Sequence, residues 1–102
     1  MNGIARYTTP SISFKPRAVD VADVDEIFLV LKQNDKEIIR KSMTDATIVE
    51  DTFVWTFSQE ETAALDRSVK CTAQIDYKAG VARYTTAPKT FAIMESAIEE
   101  VI

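Results

Sequence analysis

The most regular periodicity in the chain lies at residues 68–78, which read SVKCTAQIDYK. From Val69 to Tyr77, apolar or small side chains alternate with polar or charged ones. Successive side chains of a β-strand point to opposite faces, so this alternation predicts a strand with one buried and one solvated face. Strands that are covered on one face only are typical of antiparallel sheets. The stretch therefore predicts an all-β protein.

Segments on both sides of this stretch predict further short strands joined by tight turns. Asn34-Asp35 and Glu50-Asp51 supply two-residue turns, and Gly80 supplies another turn. The strands are expected at 11–14, 26–32, 36–42, 46–49, 52–57 and, as one return strand broken by Pro88, at 81–86 and 89–94. The continuous apolar run within 26–32 predicts a strand that is covered on both faces. About seven strands without βαβ alternation predict an immunoglobulin-like antiparallel β-sandwich.

One short helical turn is expected near residues 59–65. Ser58 and Glu61 have the spacing of a capping box, and Leu65 follows as a candidate core residue. A length of 102 residues suits a single domain, which we assign to 1–102 with a short N-terminal arm at 1–8 and a C-terminal tail at 95–102. Because a core of this size is modest, association with a second copy would add stability, and we expect a homo-oligomer.

The composition argues against catalysis and against the common cofactors. The chain has no histidine and one cysteine, so it lacks the ligand sets of zinc and iron–sulfur sites and the usual base for a nucleophile. Cys71 lies in the apolar row of its strand and is expected to be a buried thiol. The acidic stretch 20–26 offers oxygen ligands to calcium without the spacing of an EF-hand loop, so we expect a solvated loop. We predict no catalytic residues, no metal and no cofactor.

Charge and hydropathy exclude two further classes of partner. The net charge is −4, whereas non-specific nucleic-acid binding relies on a basic surface. No stretch approaches the roughly 20 apolar residues of a membrane-spanning helix, and the N-terminal residues lack the apolar core of a signal peptide. We therefore expect synthesis in a cytoplasm, with neither nucleic acid nor membrane as a partner.

The sequence ARYTTP at 5–10 nearly recurs as ARYTTAP at 82–88. Coincidence among strand-forming residues is one explanation, and two equivalent contact positions is the other. On the second interpretation, the candidate interaction residues are Arg6, Tyr7, Arg83 and Tyr84. An alternative function is carbohydrate binding, in which exposed tyrosines stack on sugar rings. Trp55 lies between Phe53 and Phe57 on the same strand face and is expected in the core instead.

Four short segments resemble a known group of proteins. They are IARYTTP at 4–10, FLVLKQ at 28–33, FSQEET at 57–62 and IEEVI at 98–102. These segments are similar to parts of small proteins encoded in the tail regions of phages and prophages of Firmicutes. Those proteins in turn resemble the N-terminal domain of phage baseplate upper proteins, an immunoglobulin-like sandwich. The resemblance implies a non-catalytic structural role in a virion tail or baseplate, with other tail or baseplate proteins as partners and synthesis in the bacterial host cytoplasm.

Overall fold

The computed structural model describes residues 3–102, which form two stacked β-sheets and one short helix. The helix α1 spans Gln59–Ala63, and 3₁₀ turns lie at Val21–Asp23 and Met43–Asp45. The described strands are β1 (Gly3–Ala5), β2 (Ser11–Phe14), β3 (Glu26–Gln33), β4 (Lys36–Lys41), β5 (Thr47–Val49), β6 (Thr52–Thr56), β7 (Cys71–Ala79), β8 (Ala82–Thr85) and β9 (Lys89–Met94). The prediction of an all-β sandwich is confirmed.

The larger sheet has the order β1-β9-β7-β3-β4, with β8 paired to β7, and the smaller sheet has the order β2-β6-β5. Strand β7 therefore lies between β9 and β3 in the larger sheet, and β6 lies between β2 and β5 in the smaller sheet. Both β8 and β9 pair with β7, at Asp76–Ala79 and Cys71–Ala73 respectively. They are therefore two halves of one return strand that is interrupted before Lys89, as the position of Pro88 predicts.

The strand count exceeds the expected seven because the return strand is divided and residues 3–5 form β1. This strand pairs with β9 in parallel, which makes one parallel pair in an otherwise antiparallel fold. Its three residues lie within the expected arm 1–8. A segment this short carries no recognisable alternation, so the sequence offers no signal for β1.

Two predicted turns adopt the geometry of tight β-hairpins. Asn34 and Asp35 have φ values of 54° and 60°, and Glu50 and Asp51 have φ values of 48° and 63°. Two successive residues with positive φ are characteristic of the type I′ turn, whose twist matches that of the flanking strands. The β3–β4 and β5–β6 hairpins follow from these turns. The short, fixed connections set the register of both hairpins.

The core lies between the inward rows of the two sheets. Phe53, Trp55 and Phe57 on the smaller sheet face the larger sheet, and all three are fully buried. The indole Nε1 of Trp55 donates to the Ser42 carbonyl at 3.0 Å, so its one polar atom is satisfied. The prediction that Trp55 is a core residue is confirmed. The opposing rows contribute Ile27, Leu29, Leu31, Cys71, Ile75 and Tyr77.

Two details differ from the sequence-based expectation. Strand β7 begins at Cys71, so half-buried Val69 lies in the preceding loop and not in the strand. Strand β3 is buried on one face only, because Phe28 and Val30 are half-buried on its outer face. The prediction that β3 is covered on both faces is therefore wrong for the single subunit. The Arg40 guanidinium lies 5.7 Å from the Phe28 ring centre and supplies part of the cover.

The helix α1 joins the two sheets at one end of the sandwich. Its predicted capping box is confirmed: the Ser58 hydroxyl accepts from the Glu61 amide at 3.1 Å, and the Glu61 carboxylate accepts from the Ser58 amide at 2.9 Å. Thr62 is fully buried and bonds to both the amide and the carbonyl of Thr8, which ties the segment between β1 and β2 to the helix. Leu65 is buried in the core as expected.

Candidate protein–protein interface

Among the described strand residues, none that points outward from the smaller sheet is charged. On β6, the residues between the buried aromatics point outward, and their register partners on β2 and β5 share that face. All members are serine, threonine or valine: Ser11, Ser13, Thr47, Val49, Thr52, Val54 and Thr56. Edge strands such as β2 and β5 commonly carry lysine and other charges that deter association. Because depletion of charge marks the centre of protein–protein interfaces, we call these seven residues the neutral face.

The neutral face continues into an open strand edge. Among the described strands, β5 pairs only with β6, so its second edge is unpaired. All three residues of β5 are exposed, and Ile48 and Val49 expose 55% and 52% of their surface. A free edge with exposed β-branched side chains is a template for association with another strand.

The outer face of the larger sheet has the opposite chemistry. Glu26, Lys32, Asp76, Lys78, Arg83 and Arg40 all point outward from its strands. The Arg83 guanidinium lies 3.1 Å from the Asp76 carboxylate, and the Arg40 guanidinium lies 2.7 Å from Glu37. Hydrogen bonds from the Thr85 hydroxyl and from Arg83 outweigh the smaller effect of burial and lower the pKa of Asp76. The first pair joins β8 to β7 and the second lies within β4, and paired, exposed charges of this kind are typical of a solvated face.

A third feature is an open cleft along one side of the sandwich. It has a volume of about 930 Å³ and lies between β2 and the interruption of the return strand. Leu29, Ile75 and Tyr77 form its apolar floor, and Ile12 and Phe14 form the wall on β2. Both wall residues face inward yet remain half-buried, because no described strand lies beside β2 at this side.

The predicted contact residues Arg6 and Tyr7 lie together at the end of the sandwich that holds α1. The Arg6 guanidinium is 5.3 Å from the Tyr7 ring centre and donates to the Ala63 carbonyl at 2.8 Å. It also lies 3.9 Å from the Glu99 carboxylate in the C-terminal tail. Arg6 therefore connects the segment after β1 to helix α1 and to the C-terminal tail.

The other pair, Arg83 and Tyr84, lies on β8 and far from the first. Arg83 points outward to Asp76, whereas Tyr84 points inward and stacks on Tyr77 with ring centres 5.0 Å apart. Tyr7 follows β1 with φ of 60°, and Tyr84 lies within an antiparallel strand. The structure does not bring the two copies of the Arg-Tyr segment together, and their surroundings differ. Their role in binding a partner stays a prediction.

The aromatic residues of the described chain do not form an exposed row for sugar binding. Trp55 and Tyr77 are buried, Tyr84 packs on Tyr77, and Tyr7 is half-buried at a distant position. A carbohydrate platform needs flat ring faces that a sugar can reach. Carbohydrate binding by exposed tyrosines stays a prediction.

Cys71 is fully buried, and the prediction of a core thiol is confirmed. Burial raises the pKa of the Cys71 thiol to about 11, so the reactive thiolate is scarce at neutral pH. Within residues 3–102, no group of three or more acidic or cysteine side chains is placed to hold a metal ion. In the same range, no helix is long and apolar enough to cross a bilayer.

Sequence reasoning missed the neutral face and the cleft for different reasons. The neutral face had a readable signal, because the outward positions of 11–13 and 52–56 lack charge in a chain with 27% charged residues. The cleft had none, because it depends on which strand lies beside β2. The chain matches no protein-family model and no curated protein.

Proposed function

We propose that this chain is a non-catalytic structural module of a phage or prophage tail or baseplate, and that it acts through protein–protein contacts. The observation that carries the proposal is the neutral face and its continuation into the free edge of β5. The resemblance of four segments to phage tail-region proteins supplies the setting: other tail or baseplate proteins as partners, and the virion as the location. Several copies would bind side by side in such an assembly.

The chemistry of the neutral face suits contact with a protein. Threonine and valine present methyl groups that can be buried, while serine and threonine hydroxyls can bond across an interface or to each other. The Ser11 and Thr56 hydroxyls already lie 2.9 Å apart across β2 and β6. Burial of this face would leave no uncompensated charge, so desolvation would cost little.

The test compares two half-buried valines, one on each outer face. Val54 lies within the neutral face, and Val30 lies within the charged outer face of the larger sheet. We expect Val54→Glu to weaken binding to a tail or baseplate protein by about tenfold or more, because it buries an unpaired carboxylate. We expect Val30→Glu to leave binding unchanged.

The measurement is biolayer interferometry against each purified tail and baseplate protein encoded by the same phage or prophage. Circular dichroism and urea unfolding establish that both variants are folded. A chain that binds none of these proteins and remains monomeric at high concentration overturns the proposal. Equal losses in V54E and V30E would reject the neutral face as the surface used.

A further inference from the structure

The two sheets of the sandwich leave one side open. Among the described strands, β2 pairs only with β6, so its second edge has free N–H and C=O groups. Beside that edge lies the cleft with its apolar floor of Leu29, Ile75 and Tyr77. A free strand edge next to an apolar cleft is the arrangement that binds an extended segment as an added strand. The backbone would supply hydrogen bonds, and alternate side chains would enter the cleft.

The rim of the cleft is basic in a protein that is acidic overall. Lys15, Arg17 and Lys89 line it, and no carboxylate does, although the chain has a net charge of −4. An occupant with apolar side chains and carboxylates would therefore match both the floor and the rim. A basic or strongly hydrophilic segment would not.

The C-terminal tail of the chain has the composition that the cleft requires. Residues 95–102 read ESAIEEVI, with three carboxylates among apolar side chains. Ile98, Val101 and Ile102 expose 52%, 50% and 81% of their surface. Because these side chains stay in water on their own subunit, transfer into an apolar cleft would be favourable.

The tail is held to its own subunit by polar contacts at the surface. The Gln59 side chain bonds to the amide and carbonyl of Ile102, each at 2.7 Å, and both contacts are exposed. Arg6 and Arg67 pair with Glu99 and Glu95 respectively. The contacts of Gln59 and Arg67 are exposed and contribute little to stability, and the Arg6–Glu99 pair is long at 3.9 Å, so these contacts can be exchanged for contacts on another subunit.

We propose that the tail 95–102 of one copy binds in the cleft of a second copy, where it adds a strand to the free edge of β2. This inference names the partner and the segment for self-association, and it rests on the proposed role as an assembly module. Since the tail and the cleft are different surfaces, each contact is head-to-tail, and two copies that exchange tails would close into a dimer. Repetition would produce a ring or an open chain of subunits.

The first experiment is a disulfide cross-link between two single-cysteine variants. Ala87→Cys lies at the cleft and Ala97→Cys lies in the tail, and both parent residues are exposed. Native Cys71 is fully buried and does not compete. After the two variants are mixed and oxidised, we expect a heterodimer on a non-reducing gel in clear excess over either homodimer. Because each chain has one accessible thiol, a tail folded back on its own subunit cannot give this product.

Exchange of charges between the rim and the tail tests whether the basic rim of the cleft attracts the acidic tail. Lys15→Glu/Arg17→Glu should reduce cross-linking by about tenfold, since it turns two attractions into repulsions. Glu99→Lys/Glu100→Lys should do the same, and a mixture of the two charge variants should restore the heterodimer. Lys36→Glu/Lys70→Glu, which changes two exposed lysines that do not line the cleft, is the matched control and should cross-link like the parent.

The outcomes separate this inference from the proposed function. A heterodimer yield no greater than that of the homodimers, with no response to charge exchange, overturns the tail-in-cleft contact. The double variant A87C/A97C giving only an internally linked monomer would place the tail in its own cleft and also overturns it. In either case, binding of tail proteins that V54E abolishes would leave the proposed function standing.

Discussion

The outer faces of the two sheets differ in chemistry although their inner faces are alike. Both inner faces are rows of large apolar side chains that meet in the core. On the larger sheet, paired charges point outward, whereas the described outward residues of the smaller sheet are serine, threonine and valine. The core explains the inner rows on both sheets. The first outer face is charged as a solvated surface usually is, and the absence of charge on the second is the reason why we propose contacts on the smaller sheet.

The largest expected effect is a difference in stability between substitutions on the two sides of strand β6. Phe53 is fully buried on the inner side, and Val54 is half-buried on the neutral face. We expect Phe53→Ala to lower the free energy of unfolding by about 3–5 kcal/mol, because it leaves a cavity in the core. Val54→Thr keeps the shape and should cost less than about 1 kcal/mol.

Urea unfolding followed by Trp55 fluorescence measures both variants. If F53A does not fold, Phe53→Leu replaces it, with an expected loss of about 1 kcal/mol. A V54T loss as large as that of the Phe53 variant would show that the neutral face is a second core surface. The comparison between the two sides of β6 would then fail.

An intermediate effect is expected at Gln33, the polar exception in the inner row of β3. Its side-chain amide donates to the carbonyls of Asp66 and Val69 at 2.8 and 3.0 Å and accepts from the Asp66 amide at 2.9 Å. Gln33→Leu removes three bonds to the 66–69 loop and leaves the Asp66 amide and the Val69 carbonyl without this partner, whereas the Asp66 carbonyl still accepts from the Val69 amide at 3.4 Å. Because Gln33 is buried and its bonds to the loop are half-buried, water can replace them only in part, and we expect a loss of about 1–3 kcal/mol.

Gln74→Leu is the matched control, because Gln74 also bonds to backbone and to a hydroxyl but lies on the outer face of β7. Its loss, measured by urea unfolding, should be below about 1 kcal/mol because water can replace the lost bonds. Equal losses at the two glutamines would remove the distinction between inner and outer faces of the larger sheet.

The smallest effect is the pH dependence that Asp76 contributes on the charged outer face. Thr85 and Arg83 hold the pKa of Asp76 below its ordinary value in the folded protein. Asp76 therefore contributes stability above about pH 4, the ordinary pKa of an aspartate. That contribution is lost as the pH falls through the lowered pKa of the folded state. We expect less than about 0.5 kcal/mol, because the side chain is 40% exposed and screened by salt.

Urea unfolding of the parent chain and of Asp76→Asn between pH 6 and pH 3 measures this contribution as the difference between the two curves. Asp76→Asn should lack this contribution to stability, and the difference between the two unfolding curves should become smaller in high salt. The neutral face has no titratable group and should add nothing in this range. A difference that persists unchanged at high salt would mean that Asp76 is less solvated than its exposure implies.

Much of the fold could be predicted from local signals. The alternation from Cys71 to Tyr77 indicated β7, the capping box of Ser58 and Glu61 indicated α1, and Asn34-Asp35 indicated the first hairpin. These features depend on side-chain direction, on capping and on positive φ, all of which act within a few residues. The failures had two causes. Strand β1 is too short to show a period, and the cover on the outer face of β3 depends on Arg40 from the next strand.

The sequence by itself determined that the chain forms strands, where most of them turn, and that its one cysteine and one tryptophan belong to the core. Only the tertiary structure decided which outward rows meet on one face, so that seven uncharged residues from three strands form one surface. It also decided that no described strand lies beside β2, which leaves the cleft open. The physical reason is that periodicity sets the direction of a side chain, whereas strand order sets its neighbours, and strand order arises from contacts between residues far apart in the chain.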